Sequence, residues 1–242
     1  QIATESPSIS PESTQALVEQ RFQQALKDQK ANIDSQIDIF RQQIKANYQD
    51  PDGNVYLPDI DTYFYHLQVQ NILENGHVGD RIVDGEPYDD HSIAPVGRPA
   101  IANLNAYVIT AIYRFLDIFT NPTITQAMFI MPMLIAALSV IPTFFIARKI
   151  GGNAAGFFAA TMLAISVPFL GRSGAGFADT DVYNVFFPVT ILWVFIESLT
   201  AKTRKKQLIL GSLSGVLTGL YSAVWIGWWY LLDFMLGAVG IY

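Results

Sequence analysis

The chain has 242 residues, of which 51% are hydrophobic, 13% aromatic and only 15% charged. That balance lies far from an average soluble domain and places the chain among membrane proteins. A net charge of −6 leaves no basic face for nucleic acid. The absence of cysteine removes disulfides and thiolate metal sites, so any metal must be held by oxygen or imidazole.

In chain order, Gln1-Ile2-Ala3-Thr4-Glu5-Ser6-Pro7 has no basic stretch leading into an apolar run, so no signal peptide is visible. The close at Gly240-Ile241-Tyr242 falls inside an apolar segment, and the sequence reads as a piece cut at both ends, with a transmembrane helix expected upstream. Residues 1–55 form an external amphipathic helical region. In it Leu17, Phe22, Leu26, Ile33, Ile37, Phe40 and Ile44 recur at three- and four-residue spacing, and Pro11-Glu12-Ser13 is a start signal. A helix or helix pair of this kind either packs on a neighbouring surface or binds a partner.

After the turn cluster Asp50-Pro51-Asp52-Gly53-Asn54, residues 56–121 read as a first external loop with two helices. One begins at Asp61 or Thr62 and runs to Asn75-Gly76. The other, Ile101 to Ile118, is interfacial, with Tyr107, Tyr113 and Phe115 suited to the boundary. Between them lies a turn-rich acidic stretch, Asp84-Gly85-Glu86-Pro87-Tyr88-Asp89-Asp90, followed by Ala94-Pro95-Val96-Gly97-Arg98-Pro99.

Residues 122–242 hold the membrane spans. Charge is absent from 118–147, 150–171, 182–196 and 207–232, and about 20 apolar residues suffice to cross a hydrocarbon core. The predicted spans are 123–147, 153–171, 180–200, 207–222 and a truncated 224–242. Arg148-Lys149 and the group Lys202, Arg204, Lys205 and Lys206 mark cytoplasmic loops. The loop with Arg172 and Asp179-Thr180-Asp181 then lies on the extracytoplasmic side, as does the acidic region around Asp61. The fold class expected is an all-α integral membrane protein of the cell membrane, a multispanning helical bundle with an external helical loop region. Gly211, Gly215 and Gly219, and Pro132, Pro142, Pro168 and Pro188, are ordinary packing and kink positions for such helices.

Two carboxylates spaced i, i+2 at the mouth of an apolar helix pair need a cation, hydrogen bonds or water. Asp61, Asp179 and Asp181 share one side and can converge as an oxygen-only set, which suits Mg²⁺ or Mn²⁺. Taken alone, Asp181 also reads as a helix N-cap and Arg172 as a span-end residue reaching the interface. An arginine seven residues before two aspartates is what phosphate recognition with a metal uses. His66, His77 and His91 are ligands only in principle, and the Trp225, Trp228, Trp229 and Tyr230 cluster reads as an aromatic belt.

These segments resemble the catalytic subunit of oligosaccharyltransferase in its archaeal and bacterial single-subunit form. The resemblance is carried by Asp59-Ile60-Asp61-Thr62-Tyr63-Phe64-Tyr65, by Ala94-Pro95-Val96-Gly97-Arg98, and above all by the run Arg172-Ser173-Gly174-Ala175-Gly176-Phe177-Ala178-Asp179-Thr180-Asp181. Gly219-Leu220-Tyr221 to Trp225 and Trp228-Trp229-Tyr230 add to it. The resemblance implies a metal-dependent glycosyltransferase of the multispanning C type. Such an enzyme moves an oligosaccharide from a lipid-linked phosphate or diphosphate donor, of the dolichol or polyprenol kind, to asparagine in Asn-x-Ser/Thr, with inversion at the sugar carbon.

By the same resemblance, Asp61 and Arg172 are catalytic, Asp61, Asp179 and Asp181 hold Mn²⁺ or Mg²⁺, and Arg98 and Arg172 are candidates for binding the donor phosphate. The family's first span, its later loop with a catalytic glutamate and its soluble domain with a Trp-Trp-Asp motif have no counterpart among these residues. A helical region of about fifty residues stands in front instead. The fragment is therefore expected to be inactive alone. Two other readings compete: a transport or channel component with an external carboxylate cation site, and another glycosyltransferase using a lipid-phosphate sugar. The spans hold almost no ionisable group besides Asp233, which disfavours transport. The arginine-bearing second motif disfavours the other transferases.

Overall fold

The computed structural model describes residues 11–50, 53 and 55–241. The chain divides into two compact units, Gln1–Tyr56 and Leu57–Tyr242. Asp50 and Gly53 of the predicted turn form one, with the Gly53 N–H donating to the Asp50 carbonyl at 3.0 Å. Pro51, Asp52 and Asn54, like the opening residues and Tyr242, lie outside the described residues.

In the first unit α1 (Pro11–Asp28) runs into α2 (Lys30–Tyr48). Gln29 joins them, donating to Ala25 at 3.0 Å and accepting from Ile33 at 2.9 Å, so the i→i−4 ladder passes through the junction. The apolar positions found by periodicity lie on this rod, yet Phe22, Ile37, Phe40 and Ile44 are exposed and no residue of α2 is buried.

The second unit opens with α3 (Ile60–Asn75). The Asp59 carboxylate caps its start by accepting from the Asp61 N–H, and Gly76 ends it in the left-handed conformation. The turn-rich acidic stretch is not loop: it folds into a three-stranded antiparallel sheet, β1 (Arg81–Val83), β2 (Glu86–Asp89) and β3 (Arg98–Pro99), in the order β1-β2-β3. Asp84 and Gly85, both with positive φ, supply the two-residue turn that the right-handed strand twist favours. The expected all-α character therefore holds outside this small sheet.

Next come α4 (Leu104–Asp117), α5 (Ile124–Ala164), α6 (Val167–Ser173), a 3₁₀ turn at Thr180–Val182, α7 (Tyr183–Leu199), α8 (Arg204–Ser222), a second 3₁₀ turn at Ile226–Trp228 and α9 (Trp229–Ile241). Among the described residues two helices are long and apolar enough to cross a membrane, Ile124–Ala164 and the unit Thr180–Leu199. The first is itself bent back. Gly151 and Gly152 leave helical geometry, with Gly152 at φ 76 and ψ −171. A Cβ on Gly156 would sit 2.8 Å from the Phe144 carbonyl oxygen, whereas twelve residues of straight helix would separate them by about 18 Å. The stretches 124–150 and 153–164 therefore form a hairpin. Lys149 braces the bend, donating to Glu197 at 2.8 Å and to Thr200 at 2.5 Å.

The predicted second span, 153–171, divides in two. Ile165 and Ser166 leave helical geometry, and Pro168 opens α6 within its first turn, where its missing N–H costs nothing. The core between α3, α4, α5 and α7 is built from Val69, Ile109, Met128, Met131, Tyr183 and Ile191, with the Tyr183 hydroxyl donating to the Met131 sulfur at 3.5 Å.

Because ψ −171 at positive φ is a region that essentially only glycine occupies, Gly152→Ala is expected to cost about 1–3 kcal/mol. Gly215→Ala, in a helix with nothing within 4 Å of the added Cβ, should leave stability unchanged or raise it. Thermal unfolding of the two variants in detergent measures the contrast.

Candidate functional site

Asp61 occupies the first turn of α3, its backbone N–H held by the Asp59 side chain. Asp179 caps the 3₁₀ turn that begins α7, accepting from the Thr180 N–H, and Asp181 lies within that turn. The N-cap role considered for Asp181 thus falls to Asp179. Arg172 sits in the last turn of α6 and pairs with Asp181 at 3.3 Å. With side chains 65% and 36% exposed, that ion pair contributes about 1 kcal/mol at most and serves chiefly to fix geometry.

Neutral contacts bring the two acidic segments together. Gly176, at φ 86, lies against the chain just before α3: a Cβ there would meet Pro58 Cδ at 2.9 Å and the Phe129 ring at 3.3 Å. Any side chain would push the Asp179 loop off the start of α3. The buried Asn105 amide donates to the Ala178 carbonyl at 2.9 Å, directly before Asp179. Asn103 caps α4 and also donates to the Val224 carbonyl at 3.0 Å, tying α4 to the end of α8.

Tyr65, one helical turn after Asp61, is 8% exposed. Its phenol is pushed up to about 12, first by burial and then by the charges of Asp179, Asp61 and Asp181, against a lowering hydrogen bond from Thr180. All three carboxylates therefore act on one buried hydroxyl. Asp179 itself is raised above the usual carboxylate range. Burial is the main cause and the charges of Asp181 and Asp61 add to it, while hydrogen bonds from Thr180 oppose. Such a set gains from a cation, and its all-oxygen donors match hard divalent ions.

Beside it a cavity of about 510 Å³ is lined by Ser166, Arg172, Asp181 and Asn184 on its polar side and by Leu163, Pro168, Phe169 and Val185 on its apolar side. The Tyr221 hydroxyl lies 3.0 Å from Asn184 Oδ1 and donates to it. This leaves the amide hydrogens of Asn184 available to the cavity.

Arg98 is placed elsewhere, on β3 opposite Asp89. Its Nε is buried without a hydrogen-bond partner, and among the described residues no hydrogen bond or ion pair joins it to Arg172 or the three carboxylates. Sequence reasoning passed over Tyr65 and Asn105. The only signals available were the i, i+4 relation of Tyr65 to Asp61 and the Asn103-Leu104-Asn105 helix start.

A second grouping also escaped prediction. Asp80, Asp89 and His91 bring one ligand-type atom each within 4.8 Å of one another, the one such trio among the described residues. Their atoms are already engaged in folding the hairpin. Asp80 accepts from Asn71 Nδ2 at 3.0 Å and from the Asp90 N–H at 2.8 Å, and meets His91 Nδ1 at 3.0 Å. Asp89 accepts from the N–H groups of His91 and Ser92 and from the Ser92 hydroxyl.

The family model described as "Oligosaccharyl transferase STT3, N-terminal" matches residues 33–241. A dolichyl-phosphooligosaccharide-protein glycotransferase of Methanococcus voltae is 31% identical over 191 residues, covering 76% of this chain and 21% of its own. The protein of that name from Methanocaldococcus jannaschii is 32% identical over 171 residues, covering 66% and 18%. The chain thus spans about a fifth of the length of these curated relatives. The fold is similar to that of the Archaeoglobus fulgidus oligosaccharyltransferase in complex with Zn and sulfate, at a TM-score of 0.64 and 21% identity over 76% of this chain and 23% of that one. It is similar also to the A. fulgidus AglB structure with an inhibitory peptide and a dolichol-phosphate, at a TM-score of 0.63 and 20% identity over 76% and 22%.

The hairpin clasp has a pH signature. Burial opposes ionisation of Asp80, but the hydrogen bonds from Asn71, Asp90 and His91 and the His91 charge outweigh it and hold the carboxyl below its usual range. Its contribution to stability is complete above the unfolded carboxyl value and disappears as pH falls through the lower folded value. Unfolding midpoints from about pH 6 to about pH 3 should therefore fall more steeply in the parent than in Asp80→Asn, which starts lower and lacks this acid loss.

Proposed function

Because the chain belongs to the oligosaccharyl transferase STT3 N-terminal family, we propose that it supplies part of the catalytic site of a protein N-glycosylating enzyme. That enzyme transfers an oligosaccharide from a dolichol- or polyprenol-linked phosphate or diphosphate donor to asparagine in Asn-x-Ser/Thr. The observation that carries this reading is the packing of the Asp179 loop against the start of α3, through Gly176 on Pro58 and Asn105 on the Ala178 carbonyl, which sets Asp179 and Asp181 on the same side as Asp61 with Tyr65 buried within reach of their charges. The names of the relatives support it, as do the dolichol-phosphate in one similar structure and the NVT sequon peptide in another.

In this reading 122–242 is a multispanning bundle of the cell membrane, 56–121 is its first external loop, and 1–55 is an external helical region. Asp61 and Asp179 face outward from the cytoplasm. They are the principal ligands of Mn²⁺ or Mg²⁺, with Asp181, oriented by Arg172, as the third. These carboxylates would hold the ion, which when bound would neutralise them and supply positive charge toward the departing lipid phosphate. The Zn of one similar structure supports a metal in this fold, and the identity of the ion is our assignment.

The reaction is a displacement. The acceptor amide nitrogen forms a bond to the anomeric carbon, the bond from that carbon to the phosphate oxygen breaks, and the nitrogen loses one proton. Inversion at carbon follows from attack opposite the leaving oxygen. Asp61, the exposed member of the set and the first polar group of α3, is assigned to accept an N–H of the amide and align the nitrogen. Arg172 and the amide hydrogens of Asn184, both on the cavity wall, are donors for phosphate oxygens. Arg98, on β3, is assigned an outer contact to the donor phosphate.

Transfer of labelled lipid-linked glycan to a sequon peptide, measured with the full-length protein and Mn²⁺, tests the assignment. Asp61→Ala and Asp179→Ala should each lose at least about a hundredfold in rate, the scale on which removing a charge-stabilising group acts. Arg98→Ala should lose far less. Unchanged transfer in Asp179→Ala would refute the site.

A further inference from the structure

Tyr221, in the Gly219-Leu220-Tyr221 run near the end of α8, has no part in the displacement described above. It is 0% exposed, and a buried phenol needs a partner for its hydroxyl. That partner is Asn184, in the first turn of α7: the Tyr221 O–H donates to Asn184 Oδ1 at 3.0 Å.

The ring is held from both sides. It stacks on Phe187 of α7, with 5.4 Å between ring centres and 24° between planes, and on Trp225 at 6.0 Å and 26°. Phe187 stacks in turn on Tyr183 at 5.9 Å, so four rings form a column between α7 and the end of α8. That end is tied to the start of α4, where the Leu104 N–H donates to the Ala223 carbonyl at 3.0 Å and the Asn103 amide to the Val224 carbonyl at 3.0 Å. The hydroxyl is therefore delivered at a fixed point.

A side-chain amide has one end that only accepts and one that only donates. With Oδ1 turned to Tyr221, Asn184 Nδ2 faces away from it. Among the described residues Nδ2 has no hydrogen-bond partner, yet it is not sealed off from solvent, and Asn184 lines the cavity shared with Arg172 and Asp181. We infer that Tyr221 is a positioning residue: its buried hydroxyl fixes which way the Asn184 amide faces, so that the cavity wall beside Arg172 presents N–H donors, and not a carbonyl oxygen, to the phosphate of the lipid-linked donor. Arg172 divides its charge with Asp181 at 3.3 Å, so a neutral donor aimed into the same space adds to what the guanidinium can hold.

The inference rests on the reading that the donor phosphate occupies this cavity, and the experiment separates the two. Initial rates of transfer from labelled lipid-linked glycan to a sequon peptide are measured with full-length protein and Mn²⁺, varying donor and acceptor in turn. Tyr221→Phe should raise the donor KM about three- to tenfold, the scale of one hydrogen bond, with the acceptor KM and kcat within about twofold of the parent. Asn184→Ala should raise the donor KM about tenfold or more. Asn184→Asp, which puts acceptor oxygens where the N–H groups stood, should raise it about a hundredfold. In the double variant Tyr221→Phe/Asn184→Ala the donor KM should match that of Asn184→Ala alone, because the hydroxyl acts only through the amide.

A parent-like donor KM in Tyr221→Phe, an equal rise in the acceptor KM, or losses that multiply in the double variant would overturn the positioning role, while the Asn184 losses would leave the phosphate reading standing. A parent-like donor KM in Asn184→Asp removes the phosphate from this wall, and the role of Tyr221 with it. Tyr221→Phe keeps the stacked ring, and circular dichroism matching the parent shows that each variant is folded. Asn184→Asp carries the test without touching the buried column.

Discussion

The structure depends on holding carboxylates together where burial works against them. Asp179 is raised by its partly buried position and by the charges of Asp181 and Asp61, so nothing in the carboxylates themselves keeps the two acidic segments in contact. The attraction comes from neutral groups: Gly176 against Pro58, Asn105 on the Ala178 carbonyl and the aliphatic and aromatic core beneath them. Neutral anchoring has a functional logic. A site closed by its own ion pairs would have no remaining demand for a cation, whereas one closed by packing keeps that demand available.

Arg172 shows the same division on a smaller scale. It pairs with Asp181, which lies toward the cavity, and has no ion pair with Asp179. The triplet is thereby split into one carboxylate that already has a cation and one that accepts from the Thr180 N–H. That asymmetry makes Asp179 the stronger candidate for a metal ligand and Asp181 the member shared with Arg172. A sequence of two identical residues two apart carries no sign of such a difference. It arises because α6 ends where its last turn can reach forward to Asp181.

How much could be read beforehand depended on whether the cause was local. The start of α3 at Ile60, with Asp59 as cap and Gly76 as stop, follows from side chains within a turn of the feature. The same holds for the apolar run Thr180–Leu199, which matches the third predicted span to within a residue. The hairpin was passed over although Asp84-Gly85 is a strong turn signal, because β1 and β2 are only three and four residues long and Pro87 lies in the second. The break of the second span at Ser166 is written in Pro168, which serves equally as a mid-helix kink and as a first-turn residue. Only the packing of α6 decides between them.

Tyr65 and Asn105 belong to another category. Each meets residues far away in sequence, Tyr65 the charges of Asp179 and Asp181 and Asn105 the Ala178 carbonyl, and no periodicity or cap rule connects positions so far apart. A tyrosine on the buried side of a helix and an asparagine in the first turn of another have ordinary local explanations, and those explanations remain true. Asn105 sits one residue beyond the start of α4, and its side chain is directed across the seam rather than back along its own helix. The residues that turn two short acidic motifs into one site are therefore the ones whose local roles look complete. The motif aspartates stand out because their charge is costly where they lie, while the groups that position them are neutral, buried and legible only once the two segments are in contact.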